Sequence, residues 1–197
     1  MTINYENEKL ALRLWFLTHR TRDVIKRCED LIFAEYNLTA EQYAVLSTIK
    51  YLDAPVRITD IAQWLERSTN SVSMIVDRMV KAGLLRRIRD MGDRRAVRVV
   101  ITSKGETALK PSILAGLKFI QEILSPLSYE DRRTFATLHE MVKYKALEYL
   151  NPGVDIEEMK RNDITIQANF MERLLQYTST STPETKRQGG KKRKTMR

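Results

Sequence analysis

The sequence predicts a mainly α-helical protein that carries one small β-hairpin. Three observations predict it. Long stretches repeat their apolar residues every three, four or seven positions, one short stretch alternates apolar with polar residues, and a Met-Gly-Asp break at 91–93 divides that stretch into two arms. At 197 residues and 43% hydrophobic content the chain is long enough to bury a core. Its apolar runs all fall short of the ~18–20 residues of a membrane span, so no membrane partner is expected. The start, "MTINYENEKLALRLWF", lacks the basic, apolar and small-residue regions of a signal peptide. One cysteine cannot form an internal disulfide. The expectation is a cytoplasmic protein.

The elements run in this order. Residues 6–35 read as a helix whose Leu10, Leu17, Val24 and Leu31 repeat every seven positions, with Leu14, Thr21 and Cys28 between them. A lone helix cannot bury that stripe, so another helix or a second subunit is expected to cover it. Cys28 reads as a small buried hydrophobe in the seam rather than a redox sensor. In "NLTAEQYAVLSTIKYL" the pair Thr39 and Gln42 has capping-box spacing, and "DAPV" ends the helix. "ITDIAQWLE" is a short helix with Thr59 as its expected cap and Ile61, Ala62 and Leu65 inward. "TNSVSMIVDRMVKAG" places Val72, Ile75, Val76 and Met79 on one face, with Ser68 as N-cap and Gly83 past the C-terminus. Two short helices joined by a tight turn make a helix-turn-helix candidate. "LLRRIRD" and "RAVRVVIT" are the arms of the hairpin, with Val97, Val99 and Ile101 on one face. Leu109, Ile113, Leu117, Ile120 and Leu124 mark a further helix, and about Tyr129 to Leu150 another. Residues 155–177 read as one more helix with Met159, Ile166, Phe170, Leu174 and Tyr177 loosely on one side. Residues 178–197 lack apolar periodicity and read as a disordered basic tail.

Charge is unevenly placed. Of the net +9, residues 57–104 hold a surplus of 6 and residues 178–197 another 6, while the remainder is −3. Such concentration favours a polyanionic partner, because neutralised phosphates release counterions. On the predicted 69–82 helix, Thr69, Asn70, Ser71, Ser73, Met74, Asp77 and Arg78 face away from the apolar stripe. Short hydrogen-bonding side chains let a helix sit deep in the major groove, where Asn pairs with adenine and Ser or Thr with several base edges. Arg78 is placed to hold the DNA backbone. Plain helix capping accounts for the same residue types, so the helix alone is a weak signal. The hairpin strengthens it. Six arginines lie between residues 86 and 105, with Arg94 and Arg95 at the tip and Arg86, Arg87, Arg89 and Arg98 on the flanks. A narrow arginine-tipped ribbon fits the minor groove, and Asp93 can orient the Arg95 guanidinium. A helix-turn-helix followed by such a hairpin is a winged helix.

From "LTAEQYAVLSTI" through "RITDIAQWLERSTNSVSMIVDRMVKAGLLRRIRDMGDRRAVRVVITSKG" the chain resembles the MarR family of bacterial transcriptional regulators. The family's wing signature, Asp-x-Arg, six further residues and then Thr, is matched by Asp93, Arg95 and Thr102. The resemblance, over about residues 5–150, implies a winged helix-turn-helix with a helical dimerisation domain. It implies a homodimer that reads a palindromic operator in double-stranded DNA, with the 69–82 helix in the major groove and Arg95 in the minor groove. A small-molecule effector between the dimerisation and DNA-binding parts is also implied, and the expected role is that of a repressor. The expected organisation is an N-terminal dimerisation helix (1–38), the DNA-binding domain (39–104), C-terminal dimerisation helices (105–150), an additional helix (151–177) and the tail (178–197). Trp15, Phe16 and Tyr43 are candidate ligand-cavity residues, against the plainer reading that such aromatics are core. No cofactor or metal is expected. His19 and His139 sit on separate predicted helices and no HExxH, CxxC, phosphate loop or GxSxG occurs, so an enzyme is not expected. The main alternative is a nonspecific architectural nucleic-acid-binding protein.

Overall fold

The computed structural model describes residues 5–89 and 97–179. Within them the order is α1 (Tyr5–Ala34), α2 (Ala40–Tyr51), β1 (Val56–Arg57), α3 (Ile58–Trp64), α4 (Thr69–Lys81), β2 (Leu85–Arg89), β3 (Val97–Ile101), α5 (Ser103–Ile123), α6 (Tyr129–Leu150) and α7 (Ile156–Ser179). The strands form an antiparallel sheet in the order β1-β3-β2, with Leu85 opposite Ile101 and Arg89 opposite Val97. The fold is a winged helix on a helical frame. Its sheet has one more strand than the sequence suggests: Val56, at the end of "DAPV", and Arg57 pair with Val99 and Arg98, a two-residue strand too short to leave a periodic signal.

Apolar spacing explains the core. Val45, Leu46 and Ile49 of α2, Ile61 of α3, and Val72, Val76 and Met79 of α4 are fully buried together, with Val99 of β3 and Leu109 and Ile113 of α5. Helix ends are satisfied by short side chains. Thr39 and Gln42 exchange hydrogen bonds of 3.2 and 3.0 Å at the start of α2. From the last turns of α1, the Asp30 carboxylate accepts from Lys26 at 2.9 Å and from the Ala40 N–H at 2.8 Å, and these hydrogen bonds hold its pKa below the usual range. At α3 the expected Thr59 cap does not form. Thr59 lies inside the helix, and Asp60 reaches back to accept from the Arg57 N–H at 3.3 Å.

Among the described residues nothing covers the seven-residue stripe of α1. Leu10, Leu14, Leu17, Val24 and Leu31 are exposed and Cys28 is half-buried. Phe33, outside the stripe, does the packing, stacked on Tyr43 at 4.0 Å. Helix α6 is similar: Phe135, Leu138, Met141, Val142 and Tyr149 are exposed. Helix α7 returns to the winged domain. Phe170 joins Tyr51 and Trp64 in an aromatic cluster with centroids 4.4–5.5 Å apart, and Leu174 is buried. Lys143 of α6 lies 2.8 Å from both Asp163 of α7 and Glu66 of the α3–α4 turn. Burial opposes its charge, but the two carboxylates outweigh burial and raise its pKa.

Candidate nucleic-acid interface

The face of α4 opposite its buried stripe is built from the N-cap outward. Ser68 accepts from the Ser71 N–H at 3.2 Å, and the two hydroxyls lie 2.8 Å apart, so the Ser71 side chain is partly engaged in capping. Thr69, Asn70, Ser71, Met74 and Arg78 are exposed and Ser73 is half-buried. Met74, 63% exposed at mid-helix, is a large apolar side chain offered to solvent beside these polar groups. Arg78 is 3.7 Å from Glu41, which also binds Arg67 at 3.2 Å, yet its side chain stays 64% exposed.

The end of α4 fixes the wing. Gly83 takes φ +74°, a conformation in which a Cβ is strained, and the N–H groups of Gly83 and Leu84 close the helix onto Val80 and Met79. Leu84 then enters the core and β2 begins. Thr102, at the end of β3, donates to the Gly83 carbonyl at 2.6 Å and accepts from Gly105 at 3.1 Å. One threonine thus joins the exit of α4, the root of the wing and the start of α5. Asp77 and Arg87 form an ion pair between α4 and β2. Arg98 donates to the Pro55 carbonyl at 2.9 Å, tying β3 to the loop before β1. The sequence alone groups both arginines with the groove-probing set. Their partners lie 10 and 43 residues away, a pairing that no local pattern announces. Arg86 and Arg89 are exposed on β2. Asp93, Arg94 and Arg95 lie outside the described residues.

The three aromatic cavity candidates are not brought together. Trp15 and Phe16 are each 63% exposed, with Trp15 edge-on to His19 at 4.5 Å. Tyr43 packs on Phe33, about 27 Å further along α1 from Trp15 at 1.5 Å per residue. Burial, with a smaller effect of the Glu29 charge, pushes the Tyr43 phenol up to about 12. A cavity that sequence reasoning missed, of 530 Å³, lies where the α1–α2 turn, α2, α5 and the exit of α4 meet, lined by Tyr36, Gln42, Ala82, Leu84, Lys104 and Thr107 among others. Among the described residues, no cluster of three His, Cys, Asp or Glu side chains suits a metal, and no helix is long and apolar enough to cross a membrane.

Comparison with known proteins defines the class. Residues 38–97 match the model of the MarR family. The HTH-type transcriptional regulator PecS of Dickeya dadantii is 31% identical over 55% of this chain and 67% of its own length. The HTH-type transcriptional regulator MgrA of Staphylococcus aureus is 33% identical over 54% of this chain and 69% of its own. A mutant MarR from E. coli, solved with operator DNA, superposes with a TM-score of 0.63 and 23% identity over 71% of this chain and 99% of that one. The organohalide-sensing regulator RdhR with 2,4-dichlorophenol bound gives 0.69 and 19% over 78% and 90%. The chain is a winged helix-turn-helix protein of the transcriptional-regulator class. It belongs to the MarR family.

Proposed function

We propose that the chain is a sequence-specific double-stranded-DNA-binding repressor of transcription, acting in the cytoplasm as a homodimer on a palindromic operator. The observation that carries this reading is the exposed face of Thr69, Asn70, Ser71 and Met74, locked to the wing by the Asp77–Arg87 pair and by Thr102. In this reading α4 enters the major groove, with Asn70, Ser71 and Ser73 toward base edges and Arg78 on the backbone. The wing, with Asp93 orienting Arg95 and Arg94 beside it, follows the adjacent minor groove. Support for a dimer comes from the apolar faces of α1 and α6, since a soluble monomer rarely leaves such extended stripes bare.

We further infer control by a small molecule. The 530 Å³ cavity adjoins Ala82 and Leu84 at the exit of α4, so an occupant there bears on the angle between α4 and the wing. The RdhR structure holds 2,4-dichlorophenol, a relative's precedent for an aromatic effector. Selection of bound fragments from random DNA by the purified protein tests the proposal. The expected product is an enriched inverted repeat, and an unenriched pool would instead favour the architectural alternative.

A further inference from the structure

Helix α4 turns one large apolar side chain toward solvent. Among the described residues from 38 to 104, the exposed large apolar side chains are Met74 on α4 and Val97 on the wing. The others lie on α1, α5, α6 and α7. Met74 therefore stands apart from the faces of α1 and α6 that a second chain would cover.

Its place on the helix is specific. At about 3.6 residues per turn, Met74 lies about 150° round α4 from the centre of the buried stripe of Val72, Ile75, Val76 and Met79. Asn70, Arg78 and Lys81 fall within about 40° of it, and all three are exposed. Met74 thus holds the middle of the face, the line that enters a groove first. Its neighbours toward the N-terminus, Asn70, Ser71 and Ser73, are short, so Met74 projects beyond them. Two other groups on this side are already engaged. The Ser71 hydroxyl lies 2.8 Å from that of the Ser68 cap, and the Asp77 carboxylate, which would repel a polyanion, is paired with Arg87.

A thioether at the floor of the major groove has one matched partner. The base-pair edges there offer hydrogen-bond donors, acceptors and, among the four standard bases, a single apolar group, the C5-methyl of thymine. Methionine sulfur is a weak acceptor, and its flexible chain adapts to a small apolar group. Against a donor or acceptor edge it would displace water without replacing the hydrogen bonds, which disfavours the other bases.

We propose that Met74 is a specificity-determining residue that selects a thymine in each operator half-site through the C5-methyl group of that base. The inference rests on the DNA-binding reading above and names the base that the centre of α4 reads.

The test takes the operator selected by the purified protein and replaces each thymine of the half-site in turn by deoxyuracil, which lacks only the C5-methyl. Base pairing and the minor groove are unchanged, so contacts of the wing there are not altered. Burial of one methyl group is worth about a fourfold change in affinity. The full-length chain is expected to bind about fourfold more weakly with uracil at one position of one half-site, and about 16-fold more weakly with uracil there in both. Met74→Gln, similar in length and at an exposed position, is expected to bind the thymine and uracil operators equally while keeping its discrimination at other base pairs. No loss with uracil at any position in the parent overturns the proposal. An equal loss in the parent and in Met74→Gln also overturns it, and assigns the methyl to another side chain such as Thr69. A selected half-site without thymine overturns it too, and leaves the DNA reading intact. A pool with no enriched sequence overturns the sequence-specific reading and this inference with it.

Discussion

Substituting Gly105 with alanine tests the joint between α4, the wing and α5. A Cβ at Gly105 would lie 2.4 Å from the Leu84 carbonyl oxygen and 2.7 Å from Ile101 Cγ2. Carbon and oxygen rest near ~3.3 Å, so something must move by about 0.9 Å. The Leu84 carbonyl cannot yield freely: it accepts from the Thr102 N–H at 3.0 Å and from the Thr102 hydroxyl at 3.1 Å. Overpacking costs about 1–3 kcal/mol and a weakened hydrogen bond about 0.5–1.5, offset by about 1 kcal/mol of better helix propensity. The net is a loss of about 1–3 kcal/mol. At the middle of that range the melting temperature falls by roughly 4–8 °C, measured at equal protein concentration. Gly116→Ala is the control, because its Cβ meets Phe33 and Tyr43 only at 3.4 Å and stability should change by less than about 1 kcal/mol. A Gly105→Ala protein as stable as the parent would refute the claim that this joint is closely packed.

Further outcomes test the proposed interface, the fold and the cysteine. Asn70→Ala is expected to cost about 1–3 kcal/mol of discrimination at particular base pairs while leaving nonspecific affinity intact, and equal losses on operator and scrambled DNA would count against groove reading by α4. Arg95→Ala should weaken binding and relax any A·T preference flanking the half-site, read by competition with altered flanks. Asp30 has a depressed pKa, so its contribution is present above its unfolded pKa of about 3.9 and is lost as pH falls through the folded value. The stability gap between parent and Asp30→Ala should therefore narrow below about pH 4, and a gap that widens there contradicts the assignment. Cys28→Ser should leave DNA release by peroxide unchanged, since none is expected from the parent; release that disappears in the variant would show a sensor.

Local chemistry was legible in the residues and long-range chemistry was not. The α4 helix could be read with both ends because its signals, Ser68, the 72-75-76-79 spacing and Gly83, act within a few residues of themselves. Tyr129 and Leu150 mark the ends of α6 for the same reason. The two-residue β1 exists only through β3, more than 40 residues on, so nothing nearby reveals it. Asp60 as the partner of the α3 N-terminus is half of a capping box without the usual hydroxyl partner, which makes Thr59 the more conspicuous candidate. The face of α4 was readable because exclusion from the core defines it. The division of labour among the wing arginines was not, since Arg87 and Arg98 have partners set by the tertiary fold. The apolar residues of α7 were visible as a loose stripe, but their docking partners Tyr51, Trp64 and Glu106 are roughly 70 to 120 residues away.

The most direct measurement inserts about 5 bp between the half-sites of the selected operator. Half-sites for two symmetry-related α4 helices lie about 10 bp apart, and half a turn of added duplex places them on opposite faces. Two chains per duplex on the parent operator, with affinity on the lengthened one dropping to that of a single half-site, is the result expected. One chain per duplex, or indifference to the insertion, would contradict it.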